Sequence, residues 1–584
     1  MGWLCMRLKK IKPLAGFQDA LGLSAIGGGL AASLPYFLGS SEAFVAGAIS
    51  ASAGASLIAY NRAKDQLDRV DATLDEDFIL PSAKPYKGEG LIAGFAKDTG
   101  KEVPVPYDLL NRHIALIGAS GVGKTTLGKY FIFQQMVKGG GYIFIDAKLD
   151  ADTRDELGYL ARAIGRADEF YVLNLDDPSS SNTYNPLLEG DADEVASRIM
   201  NLAPSAENNP GADHYRQTAN QALTVFVGAL KKANILYDFT DLTILLQSPK
   251  AIDELMRKIP PSKERMALEV FLDKYRVKVK VGEEYHWQVD VTKLKDALGG
   301  MAGRLAQFAQ GKFGEIFCTY KPEINLTDIV LNNKMLYIML PTMSKDVAAL
   351  NAAKMIMSDL RTAVYRAQSL PEAQRPNPKY LIFADEMGSY AVPGIARLFE
   401  QARSANVILM PGFQALGNLA ETSPEFADII MQSNWNKAYF RFGSVKSAKE
   451  ISEALGTTKT YIETLSQGES NSESKVTLRV DPQLNAADGD SQGSSWREQE
   501  TEKVSIDKLS ALGIGECILT IGHRLYHIRI PNLTTPIKHA EGEEREKLIF
   551  KPYRRRVNIK NGMACLDFAS KYQRLISAAT EQQK

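Results

Sequence analysis

The sequence predicts an α/β fold that carries an inserted all-α domain and is preceded by a two-helix transmembrane hairpin. Three observations lead to this prediction. Two uncharged segments lie near the start of the chain, an apolar strand runs into a glycine-rich loop and a helix, and a long stretch of helical periodicity separates two groups of strand-like runs. At 584 residues the chain is long enough for about three or four compact units of roughly 150 residues.

The hairpin is predicted from residues 20–39 and 43–60, which contain no charged side chain. About 20 helical residues at 1.5 Å each cross a hydrocarbon core of about 30 Å, so each segment can span a membrane. Basic residues flank the pair: Arg7, Lys9, Lys10 and Lys12 come before it, and Arg62, Lys64 and Arg69 come after it. The positive-inside rule therefore predicts that both chain ends lie in the cytoplasm, with only residues 40–42 outside.

Two other interpretations of these segments remain open. A cleaved signal peptide fits poorly, because the apolar region is long and a second apolar span follows at once. A buried helical hairpin of a soluble protein would suit the high content of Gly, Ala and Ser, although small residues also favour close helix packing in lipid.

Composition limits the classes of function. The 69 basic residues are balanced by 69 acidic ones, so no overall field attracts nucleic acid and any such binding must come from local patches. The four cysteines, at positions 5, 318, 517 and 565, form no CxxC pair, which argues against a disulfide scaffold or a structural zinc site. The cysteine pattern also indicates that most of the chain lies in a reducing cytosol. His523 and His527 share a short spacing, but they fall in a strand-like run, which argues against a metal site there.

A phosphate-binding loop follows a linker at about residues 80–106. The apolar run 113–117 leads into the sequence GASGVGKTT and then into a helix-like segment. Nine residues are predicted to cradle the nucleotide: Gly118, Ala119, Ser120, Gly121, Val122, Gly123, Lys124, Thr125 and Thr126. The glycines let successive N–H groups point at phosphate oxygens, Lys124 neutralises the β/γ oxygens, and the Thr125 hydroxyl is a ligand for Mg²⁺.

An acidic pair is predicted to complete the site. The apolar strand in residues 379–391 ends at Asp385 and Glu386. Asp385 would hold Mg²⁺, partly through water, and Glu386 would orient or deprotonate the attacking water. Asp146 is a rival acid, because it ends another apolar strand and is followed by Lys148 and Asp150, but it has no adjacent glutamate.

Further candidates lie in residues 392–419, which are predicted to form a helix and then an apolar strand at 407–410. Gln414 follows that strand, where a sensor of the γ-phosphate is expected. Arg403 lies at the end of the helix and is a candidate arginine finger for the site of a neighbouring subunit. The alternative for Arg403, and for nearby Arg397, is an ordinary solvent-facing arginine.

Taken together, these motifs resemble the type IV coupling proteins of conjugation and type IV secretion (TraD, TraG and TrwB-like), within the FtsK/HerA-like motors. The resemblance covers roughly residues 15–535 and rests on the hairpin, GASGVGKTT, IDAKLD, NTYNPL (182–187), YLIFADE, the helix with Arg403 and the strand ending in GFQ. Ala147 departs from the family, in which proline is common at this position of an Asp-Pro-Lys-like motif.

The resemblance implies a RecA-like P-loop motor domain into which the all-α domain is inserted. The boundaries expected are 1–62 for the amino terminus and hairpin, 63–188 and 326–535 for the two parts of the nucleotide-binding domain, 189–325 for the all-α domain, and 536–584 for the tail. Within the second part, residues 465–502 are expected to be a mobile loop or a long hairpin tip, and 515–530 returns to a strand pattern. The basic run 551–560 would contact DNA phosphates or the anionic membrane surface, or form a solvated tail helix.

The function that the resemblance implies is that of an inner-membrane coupling ATPase, using ATP and Mg²⁺. It would form a homo-oligomeric ring, expected to be a hexamer, and pump single-stranded DNA from a relaxase–DNA complex to the type IV secretion channel. Its partners would be single-stranded and double-stranded DNA, relaxosome proteins, channel components and the inner membrane. The alternatives are a coupling ATPase for protein effectors, a membrane adaptor whose P-loop regulates assembly, and an FtsK-like translocase, which usually has four spans and a winged-helix DNA reader.

Overall fold

The structure is a computed structural model in which the described residues are 7–12, 71–79, 88–203, 210–281, 284–342, 346–390, 396–414, 428, 436–468, 491–522 and 524–549. The predicted membrane segments 20–39 and 43–60 and the basic run 551–560 lie outside these ranges. Among the described residues, no helix is both long enough and apolar enough to cross a bilayer. The chain divides into two compact units rather than three or four: residues 1–440 with 513–584, and residues 441–512.

The strands of the described residues are β1 (Arg7–Lys12), β2 (Asp71–Ile79), β3 (Gly90–Ala96), β4 (Glu102–Pro106), β5 (Ile114–Ile117), β6 (Tyr142–Asp146), β7 (Phe170–Asn174), β8 (Arg276–Val281), β9 (Glu284–Val289), β10 (Met335–Met339), β11 (Tyr380–Ala384), β12 (Val407–Phe413), β13 (Asn436–Tyr439), β14 (Thr457–Gly468), β15 (Ser491–Glu502), β16 (Glu516–Ile521) and β17 (Arg524–Arg529).

The helices are α1 (Tyr107–Leu110), α2 (Lys124–Val137), α3 (Ala151–Ala163), α4 (Ala192–Met200), α5 (Pro210–Lys232), α6 (Phe239–Leu245), α7 (Pro249–Lys258), α8 (Lys263–Asp273), α9 (Val291–Ala309), α10 (Gly311–Phe317), α11 (Leu326–Leu331), α12 (Asp346–Ser369), α13 (Ala396–Gln401), α14 (Val445–Leu455), α15 (Ile506–Ser510) and α16 (Gly542–Leu548).

The larger unit is built on an eleven-stranded sheet with the order β4-β3-β17-β16-β13-β5-β12-β11-β6-β10-β7. The seven strands from β13 to β7 are parallel, and the four strands on the other side of β13 are antiparallel. Strands β5, β6, β10, β11 and β12 are buried at every position, as continuous apolar runs in a parallel sheet should be. The α/β prediction is therefore confirmed.

The parallel register brings several strand ends together at one edge of the sheet. Ala384 of β11 pairs with Ile145 of β6 and with Pro411 of β12. In turn, Phe413 of β12 pairs with Ile117 of β5. The loops that follow β5, β6, β11 and β12 therefore leave the sheet side by side, which is the edge where ligands bind in open α/β sheets.

The region between β7 and β10 is mainly helical, and several of its helices begin with side-chain caps. Asp191 and Glu194 form a capping box at α4, Asp238 caps α6, and Ser248 caps α7 with Pro249 at its first position. The prediction of an all-α domain at 189–325 is nevertheless wrong in one part, because β8 and β9 form an antiparallel hairpin inside it. The alternation of valine with basic residues in RVKVKV suits a strand, since successive side chains point to opposite faces.

The smaller unit, residues 441–512, contains α14, β14, β15 and α15. Strand β14 pairs antiparallel with β15 from Thr457 opposite Glu502 to Gly468 opposite Ser491. Residues 469–490 lie outside the described part. The sequence predicts this segment as part of the nucleotide-binding domain at 326–535, whereas residues 441–512 form a compact unit of their own.

Candidate nucleotide-binding site

The glycine-rich loop lies between the end of β5 and the start of α2. Gly121 and Gly123 have φ angles of 75° and 112°, in the left-handed region that favours glycine. A Cβ atom added to Gly123 would lie 3.0 Å from the Cα of Gly515, whose N–H group donates a 2.9 Å hydrogen bond to the Val122 carbonyl. The loop is thus held against the backbone that leads into β16, with Val122 buried and Ser120 exposed.

Lys124 is the first residue of α2 and is only 4% exposed. Its ammonium group donates hydrogen bonds of 2.7 Å to the carbonyl oxygens of Gly118 and Ala119. Burial lowers the pKa of Lys124, and the nearby Asp385 carboxylate partly opposes this shift. The ammonium group therefore lies within the curve of the loop, where a phosphate would need a counter-charge.

Thr125 brings the loop into contact with the acidic pair. Its hydroxyl group donates a 2.9 Å hydrogen bond to Oδ2 of Asp385. Gly412, on the neighbouring strand β12, leaves room for this carboxylate, because a Cβ atom there would lie 3.0 Å from Oδ1 of Asp385. Thr126, the next residue of α2, is half-buried.

Glu386 follows Asp385 in a left-handed conformation, with φ of 51°. The Oε1 atom of Glu386 accepts a 3.0 Å hydrogen bond from Gln414 and lies 2.9 Å from the ammonium group of Lys148. The same ammonium group lies 3.8 Å from Oδ2 of Asp385. Partial burial opposes ionisation of Glu386, but the hydrogen bonds and charges of these partners outweigh it and lower its pKa. Glu386 is therefore a carboxylate at neutral pH.

Asp146, the rival acid, has a different role. Its two carboxylate oxygens accept hydrogen bonds from the backbone N–H groups of Lys148 and Asp150, at 2.9 and 2.7 Å, and from the hydroxyl group of Tyr337 at 2.8 Å. Burial raises the pKa of Asp146, and these hydrogen bonds oppose the increase. The side chain is thus used to shape the turn that presents Lys148.

Arg403 and Arg397 do not lie at this edge of the sheet. Arg403 precedes β12, whereas Gln414 follows it, so the seven residues of the strand separate them by about 20 Å. The side chains of both arginines are exposed, and the Arg403 carbonyl accepts a 3.0 Å hydrogen bond from Asn111. Neither arginine is brought to the phosphate-binding loop of its own chain.

The residues present fit a nucleotide with Mg²⁺. Oxygen atoms of Thr125 and Asp385, the ligand type that Mg²⁺ prefers, lie within 2.9 Å of each other. The buried ammonium group of Lys124 and the left-handed glycines form a cradle suited to phosphate. The structure thus brings Lys124, Thr125, Asp385, Glu386 and Gln414 close together, and their roles in nucleotide chemistry stay predictions.

Comparison with known proteins gives matches in sequence and in fold. Residues 379–512 match the family described as the TraM recognition site of TraD and TraG. The type 4 coupling protein DotL of Legionella pneumophila is 23% identical over 405 residues, which cover 62% of this chain and 52% of DotL. The chain thus spans about half the length of that relative.

Solved structures of a bacterial conjugative coupling protein share the fold. The unbound monoclinic form of TrwB lacking its first 70 residues matches with a TM-score of 0.51 at 13% identity, over 80% of this chain and 92% of that chain. TrwB in complex with ADP and Mg²⁺ matches with a TM-score of 0.51 at 14% identity, over 80% and 93%. The predicted resemblance to the type IV coupling proteins is confirmed.

Two residues of the site, Lys148 and Gly515, have no function that could be predicted from the sequence. In the sequence Lys148 is only a neighbour of Asp146, whereas in the structure it contacts both Asp385 and Glu386. Its signal was its position two residues after a strand end, which becomes informative once β6 and β11 are known to be neighbours. Gly515, which directly precedes β16, supports the loop although it lies about 390 residues later in the chain, and no local sequence pattern predicts that contact.

Proposed function

We propose that this chain is an inner-membrane coupling ATPase of conjugative DNA transfer. It would link a relaxase–DNA complex to a type IV secretion channel and pump single-stranded DNA by ATP hydrolysis. The observation that carries the proposal is the convergence of Lys124 and Thr125 with Asp385, Glu386 and Gln414 at one sheet edge, in a fold similar to that of TrwB. TrwB has been solved with ADP and Mg²⁺ and with a non-hydrolysable ATP analogue.

The roles follow from the contacts of each side chain. The Lys124 ammonium group would bind the β- and γ-phosphate oxygens, and Thr125 with Asp385 would hold Mg²⁺. The metal ion, when bound, neutralises charge that develops on the phosphates. Glu386, ionised and oriented by Lys148 and Gln414, would take up a proton from the attacking water. Arg403, exposed and far from its own loop, would act on the site of an adjacent subunit.

The setting of the motor is part of the proposal. The segments 20–39 and 43–60 would anchor it in the inner membrane with both chain ends in the cytoplasm, and the chain would assemble as a hexamer. The match of residues 379–512 to a family described by recognition of TraM supports a docking role for this part of the chain towards a relaxosome protein. Residues 551–560 would add contacts with DNA phosphates or the membrane surface.

Two substitutions test the ATPase and its link to transfer. Lys124→Ala should abolish nucleotide binding, because it removes the counter-charge in the loop. Glu386→Gln should keep nucleotide binding but reduce hydrolysis at least about 100-fold, because the amide cannot accept the proton. Binding of a fluorescent ADP derivative, phosphate release and DNA transfer between cells are the measurements.

Both variants should keep the thermal unfolding midpoint of the parent protein. Turnover and transfer that stay at the parent level in both variants would contradict the proposal. Loss of nucleotide binding in Glu386→Gln would show that the glutamate acts in binding rather than in the chemical step.

A second candidate is the same motor with protein effectors as cargo. The balance of 69 basic and 69 acidic residues favours it, because the chain as a whole does not attract a polyanion. The two candidates differ in one measurable property. Single-stranded DNA should stimulate ATP hydrolysis by a DNA pump, and it should have no effect on a motor that engages only proteins.

A further inference from the structure

The β8–β9 hairpin, residues 276–281 and 284–289, stands apart from the large sheet. Among the described strands, β8 and β9 pair only with each other. The base of the hairpin is fixed, because the N–H group of Asp290 donates a 2.7 Å hydrogen bond to the Tyr275 carbonyl and Val289 is buried. The hairpin is therefore fixed at its base, and in the described part of the chain neither of its outer edges pairs with another strand.

An exposed aromatic ring lies on this hairpin beside a cation. Trp287 is 63% exposed, which is unusual for a tryptophan in the absence of a partner. It pairs with Lys278 across the strands, and the Lys278 ammonium group lies 5.1 Å from the centre of the indole ring. The indole is thus oriented by a cation–π contact while most of its surface still faces solvent.

Positive charge is concentrated on β8 at alternate positions. Arg276, Lys278 and Lys280 follow one another at a spacing of two residues, and the register pairs them with Val289, Trp287 and Tyr285. Strand β9 contains one acidic residue, Glu284. It pairs with Val281, which is not one of the alternate positions that the three basic residues occupy. Asp273 is paired with Arg276 at 2.8 Å, so it offsets one of these charges, and Lys278 forms no ion pair with any described residue.

We propose that the β8–β9 hairpin binds single-stranded nucleic acid, with Trp287 stacking on a base and Lys278 contacting a phosphate. Exposed aromatic rings interleaved with cations are the chemistry that binds unpaired bases and their backbone. A duplex fits poorly, because its bases are already stacked on each other. The inference rests on the proposed function, since it supplies the contact through which such a motor would hold its cargo.

The test uses the full chain and two fluorescein-labelled oligonucleotides, oligothymidine and oligouridine, with binding followed by anisotropy in the absence of nucleotide. Trp287→Ala should weaken binding of single strands roughly 5- to 100-fold, and Trp287→Phe should retain most of it. Lys278→Glu should weaken binding and reduce the slope of affinity against salt by about one phosphate contact. Comparison of the two oligonucleotides distinguishes DNA from RNA as the source of the single strand.

Met266→Ala and Lys321→Glu are the matched controls, because both side chains are exposed and lie elsewhere in the same region of the chain. Both controls should bind as the parent protein does. Unchanged affinity and salt slope in Trp287→Ala and Lys278→Glu would overturn the inference, and so would an equal loss in the controls. ATP hydrolysis without DNA should be unchanged in all five variants, so failure of the hairpin inference remains distinguishable from failure of the proposed ATPase.

Discussion

Lys148 connects the two acids of the site through a single ammonium group. It lies 2.9 Å from Glu386 and 3.8 Å from Asp385, and these carboxylates raise its pKa against the effect of burial. Two adjacent carboxylates repel each other, so the cation both fixes the direction of Glu386 and reduces that repulsion. We interpret Lys148 as a positioning residue for the water-activating glutamate.

Replacing Lys148 should therefore affect turnover more than binding. In Lys148→Gln we expect kcat to fall about 10- to 100-fold, because Glu386 loses a partner that orients it. The affinity for fluorescent ADP should change less than about threefold. Steady-state kinetics and equilibrium titration measure the two quantities.

Lys312→Gln is a suitable control, because Lys312 also pairs with a carboxylate, Asp176 at 3.3 Å, at a distance from the loop. It should leave kcat unchanged. Equal losses of kcat and of ADP affinity in Lys148→Gln would assign the lysine to ground-state nucleotide binding instead.

At the scale of elements, the His113 side chain connects the start of β5 to helix α13 and to strand β12. Its Nε2–H group donates to the Phe399 carbonyl of α13 at 2.9 Å, and its Nδ1 atom accepts from the N–H group of Leu409 in β12 at 3.1 Å. The residue itself leads directly into β5. Burial lowers the pKa of His113 to about 4, and the neighbouring charge of Arg403 adds to the decrease.

This burial predicts a dependence of stability on pH. Because the folded pKa of about 4 lies below the ordinary value of 6.5, the neutral ring stabilises the fold fully above pH 6.5. The contribution, up to about 3 kcal/mol of unfolding free energy, is lost as the pH falls from 6.5 towards 4. Protonation of Nδ1 would also break the hydrogen bond from Leu409.

Thermal unfolding of the parent protein and of His113→Gln between pH 4 and 8 measures this effect. The variant should be less stable at pH 7, and its unfolding midpoint should fall less steeply below pH 6.5. Parallel curves for the two proteins would mean that His113 does not control this part of the pH dependence.

The segment NTYNPL illustrates how a motif can serve the junction between elements. Tyr184 donates a 2.6 Å hydrogen bond to Asp359 of α12, and this buried carboxylate pairs with Arg198 of α4 at 2.8 Å. Asn185 donates to the carbonyl oxygens of Tyr237 and Thr319. The motif therefore links the helical insertion to helix α12, a role that its sequence alone does not reveal.

At the scale of the whole molecule, Arg403 bears on assembly. Its exposed side chain and its distance of about 20 Å along β12 from Gln414 mean that it cannot complete the site of its own chain. A ring in which each subunit supplies Arg403 to its neighbour would use this position. Assembly would then be required for hydrolysis.

Mixing two inactive variants tests this assembly. Arg403→Ala should reduce hydrolysis about 1,000-fold or more, and Lys124→Ala should be inactive. In an equal mixture, sites with an intact loop beside an intact arginine should recover about a quarter of the parent activity if subunits mix at random. Arg397→Ala, which changes another exposed arginine in the helix just before Arg403, should keep the parent activity. A mixture as inactive as its components would exclude a role for Arg403 in trans.

The sequence by itself determined the buried parallel strands, the loop between β5 and α2, and the candidates Asp385, Glu386 and Gln414. Local patterns sufficed there, because continuous apolar runs, left-handed glycines and strand ends have local physical causes. Only the tertiary structure decided that Asp146 shapes a turn, that Lys148 contacts both acids, that Gly515 supports the loop and that β8 and β9 break the helical insertion. These outcomes depend on which strands become neighbours, and that order is set by packing of the whole sheet rather than by any short stretch of the chain.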